Sequence, residues 1–172
     1  MIKFVLIFLI NLSVIAADTK VDFEIVNRFD LLLNKNDVYK AKFTQKDKEK
    51  IHKGDFILDK KNKQLRIEYA TQPIKIILMP EEILVQDLEL KETSKIPTRK
   101  TPLAVILKDD INLKRDARIF STWVENGAEY IKIQDKKYRE YGILDLGMKN
   151  GKLIHMNVRD YSNNLLSNLE IE

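Results

Sequence analysis

Residues 39–45 read Tyr39-Lys40-Ala41-Lys42-Phe43-Thr44-Gln45, and their apolar members fall on every second position. Successive side chains of a β-strand point to opposite faces, so this pattern predicts a strand with one buried face and one lysine-rich solvent face. The charged residues 46–53 form a turn or extend the strand. Four more strand-like stretches follow at short intervals: residues 54–59, 65–69, 74–79 and 83–90. Strands joined by such short connections pair with their neighbours, so we predict a five-stranded antiparallel meander.

A polar segment, residues 91–100, interrupts the strand pattern and is predicted to be a loop. Thr101 suits a helix N-cap and Pro102 the first helical position, which predicts a short helix through Leu107. Strands resume after it, at residues 117–125, 129–134, 141–148, 153–159 and 165–171. The dipeptides Asn126-Gly127 and Asn150-Gly151 lie between these strands and are typical of two-residue hairpin turns.

Residues 20–34 follow a helical period instead. Apolar side chains recur there at three- and four-residue steps, at Phe23, Val26, Phe29 and Leu33. This spacing predicts an amphipathic helix with one apolar stripe. Asp18 or Thr19 is the expected cap at its start, and residues 34–36 end it.

The chain therefore contains about ten predicted strands and two short helices, with no repeat, low-complexity tract or linker. An antiparallel sheet of that length curls into a barrel or half-barrel, or splits into a sandwich. The helices would then cover one mouth or one face. We predict a mainly β fold in a single domain.

Residues 1–17 have the pattern of a secretory signal peptide: a basic start at Lys3, an apolar core and small residues at the end. Cleavage is expected after Ala16 or Ala17. A membrane anchor is the alternative, but the apolar run is shorter than the roughly 20 residues that span a bilayer. We therefore expect an exported chain, soluble after cleavage, with one domain over residues 18–172.

The sequence contains no cysteine. Disulfides, thiolate metal sites and lipid attachment through an N-terminal cysteine are thereby excluded. The formal net charge is +4, but lysines and acids are interleaved along most of the chain. Such mixing is typical of a solvated surface, so we expect no nucleic-acid partner.

Groups suited to catalysis are sparse. The two histidines, His52 and His155, lack the spacing of metal ligands. Two acidic pairs, Asp87 with Glu89 and Asp109 with Asp110, are of a kind that is common on solvated faces. The serines lack a nucleophile-elbow context, and the glycines fit turns or bulges rather than a phosphate loop. We expect no enzymatic activity, no cofactor and no metal site.

Apolar side chains are abundant for so charged a protein. The positions that the strand pattern turns inward include Phe43, Phe56, Leu58, Leu65, Ile67, Tyr69, Ile76 and Leu78. The apolar stripes of the two helices have no other partner than this face. A packed core and an apolar cavity are both compatible with the pattern, because large barrels enclose space that side chains do not fill.

The order of several short motifs resembles the periplasmic outer-membrane lipoprotein carriers of the LolA family. The matching residues are Phe43-Thr44-Gln45, Gly54-Asp55-Phe56 with Leu58, Leu65-Arg66-Ile67-Glu68-Tyr69 with Pro73, Asp87-Leu88-Glu89-Leu90, Thr101-Pro102-Leu103 with Ile106-Leu107, and Asp160. The resemblance covers essentially the whole chain after the signal peptide. Ile67 stands where the family motif has tryptophan, and the turn at Asp160 lacks the family's glycine.

The resemblance implies an incomplete antiparallel β-barrel with a lid of short α-helices over an apolar cavity. It also implies a monomeric carrier that takes acylated lipoproteins from an inner-membrane ABC transporter. The carrier crosses the periplasm and delivers them to an outer-membrane acceptor or to the membrane itself.

Site residues follow from the same resemblance. The residues expected to line the acyl-chain cavity are Phe43, Phe56, Leu58, Leu65, Ile67, Tyr69, Ile76, Leu103 and Ile106. The family has an arginine and a proline in the turn after the G-x-F strand, where the arginine helps to hold the lid closed. Lys60-Lys61 occupies this place here, so lid control is expected to keep the positive charge but to lose the planar fork of donors.

Three other functions are considered. A lipidated outer-membrane acceptor would need the cysteine that the sequence lacks. An envelope-binding or stress-sensing module on the same half-barrel would recognise a protein or lipid partner instead of carrying lipoproteins. A small enzyme would need polar groups converging inside the cavity, and only Arg66, Glu68 and Arg99 are candidates.

Overall fold

The computed structural model describes residues 20–35, 37–47, 50–98 and 101–172. The predicted signal peptide, the predicted caps Asp18 and Thr19, and Arg99 lie outside these ranges. Within the ranges, no helix combines the length and the apolar character needed to cross a bilayer.

Eleven strands form one antiparallel sheet. They are β1 (Val38–Asp47), β2 (Lys50–Asp59), β3 (Gln64–Tyr69), β4 (Ile74–Leu78), β5 (Glu82–Asp87), β6 (Glu92–Pro97), β7 (Ala117–Glu125), β8 (Ala128–Asp135), β9 (Ile143–Lys149), β10 (Lys152–Arg159) and β11 (Leu165–Ile171). Their order in the sheet is β6-β5-β4-β3-β2-β1-β11-β10-β9-β8-β7, so β6 and β7 are free edges. The incomplete barrel is confirmed with one strand more than expected, and the sandwich alternative is wrong because all eleven strands share one sheet.

The junction between the two meanders lies at the middle of the sheet. β1 pairs with β11 through Phe43 opposite Ile171 and Thr44 opposite Glu170. Both Phe43 and Ile171 are buried. The first and last strands of the chain therefore join the two halves around one core.

Strand β6 corrects the predicted loop at residues 91–100. All six of its residues are exposed, and its backbone pairs with β5, with Ile96 opposite Ile83. An edge strand with both faces in water does not need alternating apolar residues, which is why the polar sequence hid it. The predicted strand 83–90 also ends early, at Asp87. The Asp87 carboxylate accepts hydrogen bonds from the backbone N–H groups of Glu89 and Leu90 and so caps the β5–β6 turn.

Helix α1 spans Phe23–Lys35 and buries Ile25, Val26, Phe29 and Leu33. The predicted stripe was wrong at Phe23, which is 55% exposed, with the Lys114 ammonium 5.0 Å from its ring centroid. The helix starts three residues later than predicted. The Asp22 carboxylate accepts from the backbone N–H of Glu24, which turns Phe23 into the first helical residue and away from the core.

The second predicted helix is a 3₁₀ helix, Pro102–Leu107. Thr101 caps it as predicted, because its hydroxyl oxygen accepts from the backbone N–H of Leu103. A further short helix, α2 (Leu113–Asp116), was not predicted; the Asn112 side chain caps it by accepting from the Arg115 N–H. We refer to residues 101–116 as the lid segment.

The two predicted hairpin turns are confirmed. Asn126 and Gly127 have φ angles of 52° and 72°, and Asn150 and Gly151 have φ angles of 52° and 69°. Positive φ at both central residues is the geometry that matches the twist of the flanking strands. These turns fix the registers of β7 with β8 and of β9 with β10.

Candidate functional site

The nine predicted cavity residues come together in one apolar cluster. Those on strands lie on one face of the sheet, whereas Leu103 and Ile106 lie on the 3₁₀ helix that covers this face. Seven are buried: Phe43, Phe56, Leu58, Leu65, Ile67, Leu103 and Ile106. Tyr69 and Ile76 are half-buried and pack against the same cluster. Cross-strand pairing makes the face continuous, since Phe56 lies opposite Ile67 and Ile67 lies opposite Ile76.

Side chains of the helices cover this face. Val26 and Phe29 of α1 and Val105 and Ile106 of the 3₁₀ helix are buried in the same cluster as the strand residues. In this state the apolar face is therefore a packed core, with the helices in the place of a ligand. A ligand can reach this face only if the contacts that attach the helices to the sheet are broken.

Hydrogen bonds tie α1 to the lid segment. The Asn34 side chain donates to the Ile111 carbonyl (2.8 Å) and accepts from the Ile111 N–H (3.1 Å). On the preceding turn of α1, the Asp30 carboxylate accepts a hydrogen bond from the Leu113 N–H at 2.8 Å. Burial raises the pKa of Asp30, although the Leu113 bond opposes this shift. These contacts join α1 and the lid segment into one covering unit.

The β2–β3 turn holds the end of the 3₁₀ helix. Lys60 Nζ donates to the backbone carbonyl of Lys108, the C-cap residue, at 2.5 Å. In the same turn Lys63 Nζ lies 2.8 Å from Asp109 Oδ2. Burial lowers the pKa of Lys60, and the nearby carboxylates of Asp109 and Asp110 partly offset the effect. Of the two predicted lid-control residues, Lys60 contacts the lid and Lys61 is exposed in the turn.

Lys108 also links the lid segment to the other half of the sheet. Its ammonium lies 3.3 Å from Asp135 Oδ2 at the end of β8 and 3.6 Å from Asp116 Oδ1. Asp135 is buried and also accepts from the backbone N–H groups of Lys137 and Tyr138. These ion pairs of Lys108 were not predicted from the sequence, because nothing in the local pattern places Lys108 beside a residue 27 positions away.

Helix α1 has an anchor of its own on the sheet. Arg28 makes a bidentate contact with Glu129 of β8, with Nε 2.8 Å from Oε2 and Nη2 2.7 Å from Oε1. Next to this pair, a groove of about 920 Å³ runs between the last turns of α1, Ile111 and the hairpin turns at Gly127 and Gly151. Leu31, Leu32 and Met148 supply its apolar walls. This groove marks one border of the covering unit.

The polar residues considered for catalysis do not converge. Glu68 pairs with Lys75 at 2.9 Å, whereas Arg66 is half-buried between strands and its Nε has no partner among the described residues. His52 lies beside Thr71, and His155 lies 3.2 Å from Glu170 on a different part of the sheet. In the described part of the chain, no group of three or more acidic or histidine side chains is placed to hold a metal ion.

The chain belongs to the LolA family. The model of the family described as outer membrane lipoprotein carrier protein LolA matches residues 34–168, well over half of the sequence. The match begins at the end of α1 and ends within β11, so it includes both meanders and the lid segment. Members of this family are periplasmic proteins that bind and carry lipoproteins, and they are not enzymes. The search among curated proteins gave no match.

Solved structures resemble this chain only distantly. An uncharacterized conserved protein from Thermus thermophilus is 11% identical, with 87% of this chain and 83% of that chain covered and a TM-score of 0.49. A chain of the MucA/MucB complex of Pseudomonas aeruginosa is 8% identical, with 86% of this chain and 54% of that chain covered and a TM-score of 0.43. A chain of the complex of the CwlD amidase with the GerS lipoprotein from Clostridioides difficile is 14% identical, with 88% of this chain and 93% of that chain covered and a TM-score of 0.41. The family assignment rests on the LolA match alone.

Proposed function

We propose that this chain is a periplasmic carrier that binds the acyl chains of lipoproteins between the sheet and its covering helices. It would receive them from an inner-membrane ABC transporter and pass them to an outer-membrane acceptor or to the membrane. One observation carries the proposal: the predicted cavity residues of the strands form a continuous apolar face, and the unit that covers it, which includes Leu103 and Ile106, is attached at its borders by polar contacts.

Such a cover can exchange places with a ligand at small cost. Each buried methylene stabilises a bound acyl chain by about 0.8 kcal/mol, so acyl chains are not released into water on a useful timescale. When they enter, they replace the apolar contacts that Phe29 and Ile106 make with the sheet. The apolar face stays covered in both states. The free-energy difference between the closed and the ligand-bound state is therefore set mainly by the polar contacts that must break.

Three contacts would control this opening. Lys60 to the Lys108 carbonyl and Lys108 to Asp135 hold the lid segment, and Arg28 to Glu129 holds α1. Each involves at least one partly exposed group, so solvent screens these contacts and lowers the free energy needed to break them. A cover held by weak contacts at its borders can yield to a transporter or acceptor without nucleotide hydrolysis by the carrier itself.

Site-specific photo-crosslinking tests the proposed location. A photoreactive amino acid at Ile76, which faces the covered side, is expected to crosslink to the acyl chains of a synthetic triacylated lipopeptide. The same amino acid at Ile77 is the matched control, because this neighbour faces away, opposite Arg66 and Leu84. Equal crosslinking at both positions, or at neither in a folded protein, would contradict the proposal.

The remaining alternative predicts a different outcome. If the chain is an envelope-binding or stress-sensing module, the acyl chains of the lipopeptide stay unprotected and a protein partner is captured instead. Export is tested separately: N-terminal sequencing of the protein from a periplasmic fraction is expected to begin at Ala17 or Asp18. A chain that still begins at Met1 would show that the signal peptide is retained.

A further inference from the structure

Exposed apolar side chains cluster at one end of the sheet. Of the twelve large hydrophobic residues exposed in the described part of the chain, six lie at the hairpin tips of this end: Ile51, Leu88, Leu90, Tyr161, Leu165 and Leu166. Alternate turns of an antiparallel sheet lie at the same end of its strands, which places the β1–β2, β3–β4 and β5–β6 turns together. Because β11 runs antiparallel to β1, the β10–β11 loop joins the same row.

Two adjacent tips in this row lie side by side, one rich in lysines and the other in exposed apolar residues. Residues 46–53, around the β1–β2 turn, carry four lysines against two acids. Lys46 lies opposite the exposed Ile51, and Lys53 lies two pairs further from the tip. The β10–β11 loop is the next tip, and the Gln45 side chain connects the two by donating to the Ser167 hydroxyl at 3.2 Å.

The apolar residues of the β10–β11 loop are held outward by structure. The Asp160 carboxylate accepts from the Asn164 N–H at 2.8 Å, and the Asp160 carbonyl accepts from the Asn163 N–H at 3.0 Å. This compact loop leaves Tyr161 74% exposed. A bulge follows, in which Arg159 pairs with Leu165 and Val158 with Ser167, so Leu166 has no partner across the strand. Leu166 is therefore 64% exposed.

We propose that these two tips dock the protein on the surface of an anionic lipid bilayer. We define the tip surface as Lys46, Lys50, Ile51, Lys53, Tyr161, Leu165 and Leu166. Isoleucine and leucine at loop tips enter the boundary between headgroups and acyl chains, and tyrosine is favoured at that depth. Lysines around them attract anionic headgroups. Separate hairpin tips at one end of the sheet can all contact a flat, deformable bilayer surface, whereas a single peptide would contact only some of them.

Charge also sets the orientation. The β5–β6 tip, residues 87–92, carries three acids against one lysine. An anionic surface repels this tip and attracts the basic one, so the sheet docks on the β1–β2 and β10–β11 side. Docking is weak and reversible, because each lysine near an anionic surface contributes only about a fivefold increase in partitioning. A carrier needs such brief contact if it is to leave the membrane again.

Vesicle sedimentation tests the proposal without any lipoprotein. The chain from Asp18 onward is mixed with vesicles of phosphatidylglycerol and phosphatidylcholine, and with vesicles of phosphatidylcholine alone. We expect binding to the anionic vesicles that weakens as salt screens the lysines. Removing the charges (Lys46→Gln, Lys50→Gln, Lys53→Gln) or the apolar tips (Tyr161→Ser, Leu166→Ser) is expected to reduce partitioning about tenfold or more.

Matched controls separate this surface from general basicity. Lys35→Gln, Lys61→Gln and Lys152→Gln remove the same charge from exposed positions away from the tips, and Val124→Ser removes an equally exposed apolar side chain. These variants are expected to bind as the wild type does. The proposal is wrong if the wild type ignores anionic vesicles at low salt, or if control and tip variants lose binding equally. It is also wrong if the tip variants keep vesicle binding and lose only a complex with a purified protein acceptor.

Discussion

The ammonium group of Lys60 lies 2.5 Å from the carbonyl oxygen of Lys108, so the β2–β3 turn directly contacts the C-cap residue of the 3₁₀ helix. The family resemblance placed an arginine in this turn, and a lysine keeps its charge and its reach. A compact ammonium group needs only one carbonyl acceptor, whereas a guanidinium group offers a fork of donors. A single hydrogen bond from Lys60 therefore links this turn to the lid segment.

Removing this bond should loosen the lid segment. In Lys60→Met we expect the backbone amides of residues 103–107 to exchange with solvent about fivefold faster, because a bond to a charged donor that is partly offset by desolvation is worth about 1 kcal/mol. Hydrogen exchange followed by mass spectrometry measures this directly. Lys61→Met is the matched control, since Lys61 is exposed one residue away. Equal exchange in both variants would show that Lys60 does not hold the lid.

Gly54 in β2 should tolerate no side chain. A Cβ there would lie 2.1 Å from the Glu68 carbonyl oxygen and 2.7 Å from Cε1 of Phe43. Both neighbours are fixed, one by the β2–β3 ladder and one by the core, so Gly54→Ala should lower the free energy of unfolding by about 3 kcal/mol or more. This close approach also gives a physical reason for the glycine of the G-x-F motif.

Gly151→Ala provides the comparison in the same urea unfolding experiment. Its φ of +69° is unfavourable for alanine, but nothing lies within 4 Å of the added Cβ. We expect a loss of only about 1 kcal/mol. Similar losses for the two glycines would mean that the close approach at Gly54 relaxes easily.

Acid should weaken the lid segment through Asp116. The Arg115 guanidinium, which donates to both carboxylate oxygens of Asp116, is the main cause that lowers the pKa of this group to about 2. A carboxylate whose pKa is lower in the folded state stabilises the fold fully above about pH 4 and loses this contribution as the pH falls towards 2. The expected contribution is about 1–2 kcal/mol, since Arg115 is half-exposed and solvent screens the pair.

Urea unfolding between pH 7 and pH 2 checks this dependence. Asp116→Asn should be less stable than the wild type at pH 7 and should show a flatter decline in acid. Asp109→Asn removes an exposed carboxylate from the same segment; solvent screens its pair with Lys63, so this variant should keep the wild-type dependence of stability on pH. A wild-type decline that Asp116→Asn leaves unchanged would assign the acid sensitivity to other carboxylates.

A bulky side chain on the covered face should block acyl chains. Ile76 is half-buried there, so Ile76→Trp is expected to leave the protein folded and to reduce lipopeptide binding at least about tenfold, because the ring fills space that the ligand needs. Ile77→Trp, on the opposite face, should bind normally. Fluorescence titration with a labelled triacylated lipopeptide measures both. Normal binding by Ile76→Trp would place the acyl chains elsewhere.

Strong local patterns predicted most of the fold. The alternation at residues 39–45, the Asn-Gly turns and the Thr101-Pro102 start each have a local physical cause, and the structure shows all of them. The apolar face of the site was also predictable, because strand alternation places Phe56, Ile67 and Ile76 on one side. These features depend on neighbours that are close in sequence.

Features that depend on distant contacts were not predictable. Strand β6 owes its place to pairing with β5 and has no apolar pattern of its own. Phe23 is an exception with a local cause: it lies on the predicted stripe, but the cap at Asp22 starts the helix with this residue turned outward. The contact of Lys108 with Asp135 arises only when the sheet curls and brings the end of β8 to the lid segment.

A lipoprotein carrier must remove acylated lipoproteins from a membrane. The most direct test incubates the chain from Asp18 onward with vesicles that contain the lipoprotein-releasing transporter, ATP and a radiolabelled triacylated lipoprotein. We expect the label to leave the vesicles in a soluble one-to-one complex, and Ile76→Trp to prevent this transfer while Ile77→Trp permits it. Label that stays in the membrane while the protein is folded and the transporter is active would contradict the carrier function.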